Sequence, residues 1–282
     1  MQGKQRTFRM LNAGQRVVAV MALLCGVSVV WMLSGCGGGG ASAPPSVEPS
    51  LRWLGTLPGG SESGAYGVSA DGRVVVGGAR NAAGHLRAFR WQNGVMQDLG
   101  TLGGNGSLAR DVSADGAVVV GGAANAAGGS RAFRWQNGVM QDIGTLGGYY
   151  GVAYGVSADG AVVVGYAYNA AGGSRAFRWQ NGVMQDLGTL GGDESEASGV
   201  SADGAVVVGW AANAAGQERA FRWTPSRGME DLNTTYASLL TNGSVLIRAR
   251  AISPDGRYIV GVGRNAATGH QEAFLLDTGR GP

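Results

Sequence analysis

A 44-residue unit written three times in near-identical copies constrains this chain more than any other feature. The copy that starts at Asp98 reads DLGTLGGNGSLARDVSADGAVVVGGAANAAGGSRAFRWQNGVMQ, and it recurs from Asp142 and from Asp186. Degenerate copies flank it on both sides. Repetition at this period marks an architecture of stacked supersecondary units.

Within the unit, four apolar segments alternate with turn signals. The first, Leu108–Ser113, is short and ends at Ala114-Asp115-Gly116. The second, Ala117–Ala124, carries the β-branched run Val118–Val120 and ends at Asn125–Gly129. The third, Arg131–Trp135, closes at Gln136-Asn137-Gly138, and the fourth is Val139–Leu146. Asp-Gly and Asn-Gly between such runs favour hairpins, because tight turns need the positive φ that Gly and Asn tolerate. No room is left for a helix, so each unit is expected to be a four-stranded antiparallel meander. Such a unit cannot bury its own faces, and its neighbours must do so. Runs like VVVG suit strands covered on both sides. Four strands per 40–50 residues is the pattern of a β-propeller blade.

Both chain ends look like partial copies. Leu51–Leu57 matches the LGTL element that closes a unit, and Arg248–Leu276 supplies segments one to three. The expectation is an all-β, five-bladed β-propeller over residues 51–282. Its whole blades are Gly64–Leu102, Leu108–Leu146, Val152–Leu190 and Ala197–Leu232. The fifth pairs the N-terminal strand with the three C-terminal strands, closing the ring and removing open sheet edges.

The repeat motifs resemble the HAF-repeat family of bacterial extracellular proteins. The name-giving triplet stands here as Arg-Ala-Phe at Arg87, Arg131, Arg175 and Arg219, and as Glu272-Ala273-Phe274. The resemblance covers Leu51 to Leu276, and arginine in place of histidine is a departure from it. It implies the repeat fold and an extracellular location, and it brings no catalytic residues.

Ahead of the repeats, Lys4, Arg6, Arg9 and Arg16 precede the apolar run Val17–Leu33. That run approaches the length of a membrane span, but Leu33-Ser34-Gly35-Cys36 ends it and resembles the lipobox of bacterial lipoprotein signal peptides. The resemblance implies cleavage before Cys36 and lipid on its thiol and new N-terminus. Residues 1–35 then form the signal, and the Gly/Ser/Pro-rich stretch 36–50 a tether. Cys25 leaves with the signal, so the remainder has one cysteine and forms no internal disulfide. Four of the 22 bases lie in the signal and none of the 19 acids does, leaving one more acid than base. A basic nucleic-acid footprint is therefore missing from the repeats, and no nucleic-acid partner is expected. The expected location is the bacterial envelope, anchored through Cys36. The outer membrane is favoured by analogy with lipoprotein sorting, given Gly37 after the cysteine.

Chemistry-bearing motifs are sparse. His85 and His270 occupy equivalent hairpin loops, with no nucleophile motif beside them. No zinc, nucleotide or other cofactor pattern is present. Asp71, Asp115, Asp159, Asp203 and Asp255 recur in the S(A/P)DG turn, one carboxylate per blade, too few for a calcium shell and suited to turn formation. Arg90, Arg134, Arg178 and Arg222 are expected to pair with Asp98, Asp142, Asp186 and Asp231. Phe89, Phe133, Phe177, Phe221 and Phe274 are expected in the interblade core.

First strands line a propeller's channel, which assigns Tyr66, Arg110, Tyr154, Ser198 and Arg250 to that lining. Asp111 is the sole carboxylate beside them, where a propeller glycosidase needs a pair. The copies differ most in SESGAYG, NGSLARD, YYGVAYG and DESEASG, read as loops from strand four to the next strand one. That face collects Tyr149, Tyr150, Tyr166, Tyr168 and Trp210 beside Asp193, Glu194 and Glu196, a set suited to a glycan or protein ligand. A non-catalytic binding or adhesion module is the expected function. A glycosidase-like enzyme and an envelope-assembly scaffold are the alternatives.

Overall fold

The computed structural model describes residues 48–279, and residues from Leu51 onward form one unit. Cys36, the signal segment and all but the end of the tether lie outside the described residues.

Five antiparallel sheets follow one another along the chain. Blade one comprises β1 (Ser63–Val68), β2 (Val74–Arg80), β3 (Leu86–Gln92) and β4 (Val95–Asp98). Blade two comprises β5 (Gly103–Val112), β6 (Val118–Asn125), β7 (Ser130–Gln136) and β8 (Val139–Asp142). Blade three is β9 (Gly147–Val156), β10 (Val162–Asn169), β11 (Ser174–Gln180) and β12 (Val183–Asp186). Blade four is β13 (Gly191–Val200), β14 (Val207–Asn213), β15 (Glu218–Thr224) and β16 (Gly228–Asp231). A short helix, α1 (Leu232–Thr235), leads to blade five: β17 (Val245–Ile252), β18 (Tyr258–Arg264) and β19 (Gln271–Asp277). Each sheet is a meander in sequence order, and the fold is a five-bladed β-propeller.

Turn chemistry explains the repetition. Asn93, Asn137 and Asn181 each adopt φ 52° before a glycine near φ 83°, the two positive values of a type I′ hairpin. In the other turn, Ser113 Oγ donates to Asp115 Oδ1 (2.6 Å), which also accepts from Ala117 N (2.9 Å), while Val118 N donates to Ser113 Oγ. These bonds, the serine's first, hold the Asp115 carboxyl below the usual carboxylate range. The same Ser–Asp clasp recurs at Asp71, Asp159, Asp203 and Asp255. The recurring aspartates are thus turn formers, and no metal-binding cluster occurs among the described residues.

Blades stack through three kinds of contact. Phe133 and Trp135 of blade two are buried with Val74, Val76 and Ala88 of blade one, and Phe177 and Phe221 repeat this in the next two interfaces. Arg90 Nε and Nη2 donate to the Gly116 carbonyl of blade two (3.1 and 3.0 Å), and the guanidinium lies over Trp135. Arg134 and Arg178 do likewise with Gly160 and Gly204. Finally, Ala70 N donates to Ala114 O, Ala114 N to Ala158 O, Ala158 N to Ala202 O and Ala202 N to Pro254 O. Proline carries no N–H, so this series ends at blade five.

These contacts correct the expected Arg–Asp pairing. The arginine that reaches Asp98 is Arg87 (3.1 Å), and the one that reaches Asp142 is Arg131 (3.8 Å). Arg90 and Arg134 point to the next blade instead, and Arg222 pairs with Glu230 (2.8 Å).

The fifth blade also differs from expectation. It has three strands, and residues 51–57 form no ladder with β19. In blades one to three the hydrogen-bonded outer strand is VMQD, and LGTL (IGTL in blade two) comes after it. Leu99, the first LGTL residue of blade one, packs on Phe133 and Trp135 of blade two, with Leu102 beside it. Leu54 and Leu57 occupy the same positions over Phe89 and Trp91 of blade one, and Arg52 lies over the Trp91 ring at 5.7 Å. The N-terminal segment thus packs as a linker rather than pairing as a strand. The seam beside it is open: Val68 is 59% exposed where its counterpart Val112 is 6%, and Val260 is 41% exposed where Val120 is 0%.

Leu57 is 3% exposed. Leu57→Ala is expected to lower the unfolding free energy by roughly 2–5 kcal/mol, through lost burial and the cavity left behind. Denaturant unfolding checks this, and an unchanged midpoint would show that the segment is ornamental.

Candidate ligand channel

The five residues assigned to the channel each lie three positions before the serine of the S(A/P)DG turn. Each sits at a break in the register between the first and second strands of its blade. In blade two, Ala109 pairs with Gly121 and Asp111 with Val120, leaving Arg110 without a partner residue. The same skip falls at Tyr66, Tyr154, Ser198 and Arg250. A β-bulge re-aims the side chain of the extra residue, and here five bulges aim theirs at one axis. The bulge draws the inner strand close to its neighbour: a Cβ on Gly121 would collide with the Leu108 carbonyl oxygen, which accounts for the glycine of VVVG.

Tyr66, Arg110, Tyr154, Ser198 and Arg250 all line one cavity of about 360 Å³, together with Glu196. Arg110 lies between Tyr66 and Tyr154, its guanidinium carbon 5.7 Å from each ring centroid. Its Nε and the Ser198 Oγ are buried without a hydrogen-bond partner. Burial pushes the Glu196 carboxyl up, against the pull of Arg248 and Arg250. Arg248 itself is held by Glu218 (Nε to Oε2, 2.6 Å) and lies 4.6 Å over Trp210.

Tyrosines continue outward from this cavity. Tyr154 contacts Tyr166 (5.8 Å between centroids), Tyr166 contacts Tyr150 (5.8 Å), Tyr150 contacts Tyr168 (5.6 Å), and Tyr168 meets Tyr149 edge-on (5.4 Å). Tyr149 is 65% exposed at the outer end. Burial is the main cause that raises the Tyr154 and Tyr166 phenols, so both stay protonated donors at neutral pH.

Several placements differ from the sequence reading. The variable segments are not loops: NGSLARD lies within β5, YYGVAYG within β9 and DESEASG within β13. Each of these strands is ten residues long and opens at a Gly-Gly pair, whose first member, such as Gly103 at φ 100°, has positive φ. Trp210 is not a surface aromatic; it is 8% exposed, beneath Arg248. Asp193 and Glu194 are exposed on β13 away from the cavity lining, whereas Glu196 joins it. His85 and His270 are exposed loop residues. Sequence reasoning missed the Arg248–Glu218 pair, whose members lie 30 residues apart with no shared motif.

Asp111 is not a channel acid. Its Oδ1 accepts from Val112 N (2.8 Å) and its Oδ2 from Val156 N of blade three (3.0 Å), and burial raises its carboxyl despite both bonds. Asp111→Ala strands the Val156 amide. We expect a loss of roughly 1–3 kcal/mol, read by denaturant unfolding; no loss would mean the interblade bond contributes nothing.

Comparison with known proteins bears on the fold. No family profile matches the chain, and no curated relative matches it. Among solved structures it is similar to a protein described as TolB from Agrobacterium tumefaciens: 14% identity, TM-score 0.51, 77% of this chain and 76% of that one. It is likewise similar to TolB from Acinetobacter baumannii: 14% identity, TM-score 0.53, 77% of this chain and 52% of that one. The match thus spans about half the length of the Acinetobacter protein. At this identity the likeness supports the propeller fold alone.

Proposed function

We propose that the chain is an exported, lipid-anchored bacterial envelope protein whose propeller is a non-catalytic binding module, taking a polar ligand at the channel. One observation carries the reading. The outer strands of blades two and three are identical, SRAFRWQ and VMQD in both, while their inner strands read GGNGSLARDV and GGYYGVAYGV, and blade four's reads GGDESEASGV. Difference is concentrated on the surface that lines the cavity and leads to it. Protein–ligand pockets combine apolar or aromatic walls with a few convergent polar groups, and the tyrosines, two arginines, serine and glutamate supply both. A glycosidase would need paired carboxylates, and the six lining residues include one.

The binding surface is tested by replacing Tyr149–Gly155 and Asp193–Gly199 with blade two's NGSLARD. The chimera is expected to keep its melting temperature within a few degrees and to lose retention on cells or extracellular matrix. Full retention overturns the reading.

Anchoring rests on the lipobox-like sequence and is tested separately. Cys36→Ser is expected to leave unprocessed precursor or soluble protein, since stable attachment needs more than one acyl chain. A processed protein that still fractionates with membranes overturns it.

A further inference from the structure

The cavity's own chemistry narrows the ligand, given the channel-binding reading above. Arg110 and Arg250 set two fixed positive charges against one carboxylate, Glu196, while Arg248 is already neutralised by Glu218. The surplus is one positive charge, which complements a monoanion better than a dianion. A guanidinium presents a planar fork that matches a carboxylate, and that of Arg110 lies over the rings of both Tyr66 and Tyr154.

Hydrogen-bonding capacity is equally one-sided. The buried lining atoms left without partners, Arg110 Nε and Ser198 Oγ, can both donate, and the arginine nitrogen can only donate. Glu196 is the lone acceptor-only group in the lining. A ligand that satisfies such a wall is rich in acceptors and has a donor for Glu196. Ring hydroxyls do both at each position, whereas a peptide's backbone N–H groups would need more acceptors than the lining supplies. The volume, about 360 Å³, is near the lower end of ligand pockets and suits a single ring.

We propose that this cavity binds a carboxylate-bearing saccharide unit of the uronic-acid class, with the carboxylate on Arg110 and Arg250 and ring hydroxyls on Ser198 and Glu196. The tyrosine series from Tyr154 to Tyr149 then forms the wall along which neighbouring sugars of a longer glycan leave the cavity.

Opposite charge changes at two lining residues test this. Arg250 is exposed, so Arg250→Gln has little folding cost; Glu196→Gln removes the one negative charge. Calorimetric titration of the full-length protein in detergent would compare a glucuronate disaccharide, its neutral glucose counterpart, inorganic phosphate and a short peptide with a free carboxylate. The uronate is expected to bind at least about tenfold tighter than the neutral sugar, and Arg250→Gln to weaken it about tenfold; Glu196→Gln is expected to weaken the neutral sugar, by loss of one charged hydrogen bond, more than the uronate, whose carboxylate is freed of a like charge. A residue that merely supports the fold would not move the uronate-to-neutral preference in opposite directions. Uronate binding no tighter than that of the neutral sugar, phosphate or the peptide overturns the proposal, as does an affinity unchanged in Arg250→Gln. Should the uronate fail while the inner-strand chimera still loses retention, the ligand class falls and the channel reading stands. If the chimera also keeps full retention, both fall.

Discussion

The first four blades rest on one another through an aromatic plug capped by an arginine. Phe133, Phe177 and Phe221 are fully buried in faces shared with the preceding blade, and Arg90, Arg134 and Arg178 each reach across to a glycine carbonyl of the following one. A four-stranded meander has two apolar faces and no other means of covering them. Burying a phenylalanine contributes roughly 1.5–3 kcal/mol, and each arginine adds hydrogen bonds that fix the angle between blades. The inner strands are brought to one axis by this stacking. At the open seam no following blade is present, and the change is visible in sequence: Leu275 stands where the other blades have this arginine, and it is exposed.

The same packing explains why the copies vary where they do. The second and third strands face a blade on either side, so each of their inward side chains is fixed in one interface or the other. The bulged residue of each inner strand touches neither ladder partner and points to the channel. Tyrosine, arginine and serine can therefore replace one another at that position without altering the blade. Scaffold and binding surface are thus separated within a single repeat, and a few inner-strand residues set the chemistry of the cavity.

Much of this was legible in the sequence. The period, the Asn-Gly and Asp-Gly turns and the β-branched runs define a four-stranded unit, and counting back three residues from the turn serine finds all five bulged channel residues. What was not legible depends on pairing. Segments that differ between copies read as loops unless their strand partners are known, which hid the length of the inner strands and put YYGVAYG on a loop. Arg87 and Arg90 stand in one RAFR motif, and only their sides of the strand decide which meets Asp98. LGTL reads as a strand because it is apolar; the ladder in fact ends at the preceding VMQD, so an N-terminal copy of LGTL has nothing to pair with. Trp210 looked like a ligand contact because the arginine covering it comes from another blade.

Amide hydrogen exchange at Ala114, Ala158 and Ala202 tests the stacked ring most directly, because each of these turn residues donates its N–H to the next blade. Protection at these three sites comparable to that of core amides in β6 and β10 is the expected result. Exchange as fast as in the exposed Asn-Gly turns would contradict the blade-to-blade stacking, and with it the common axis on which the channel depends.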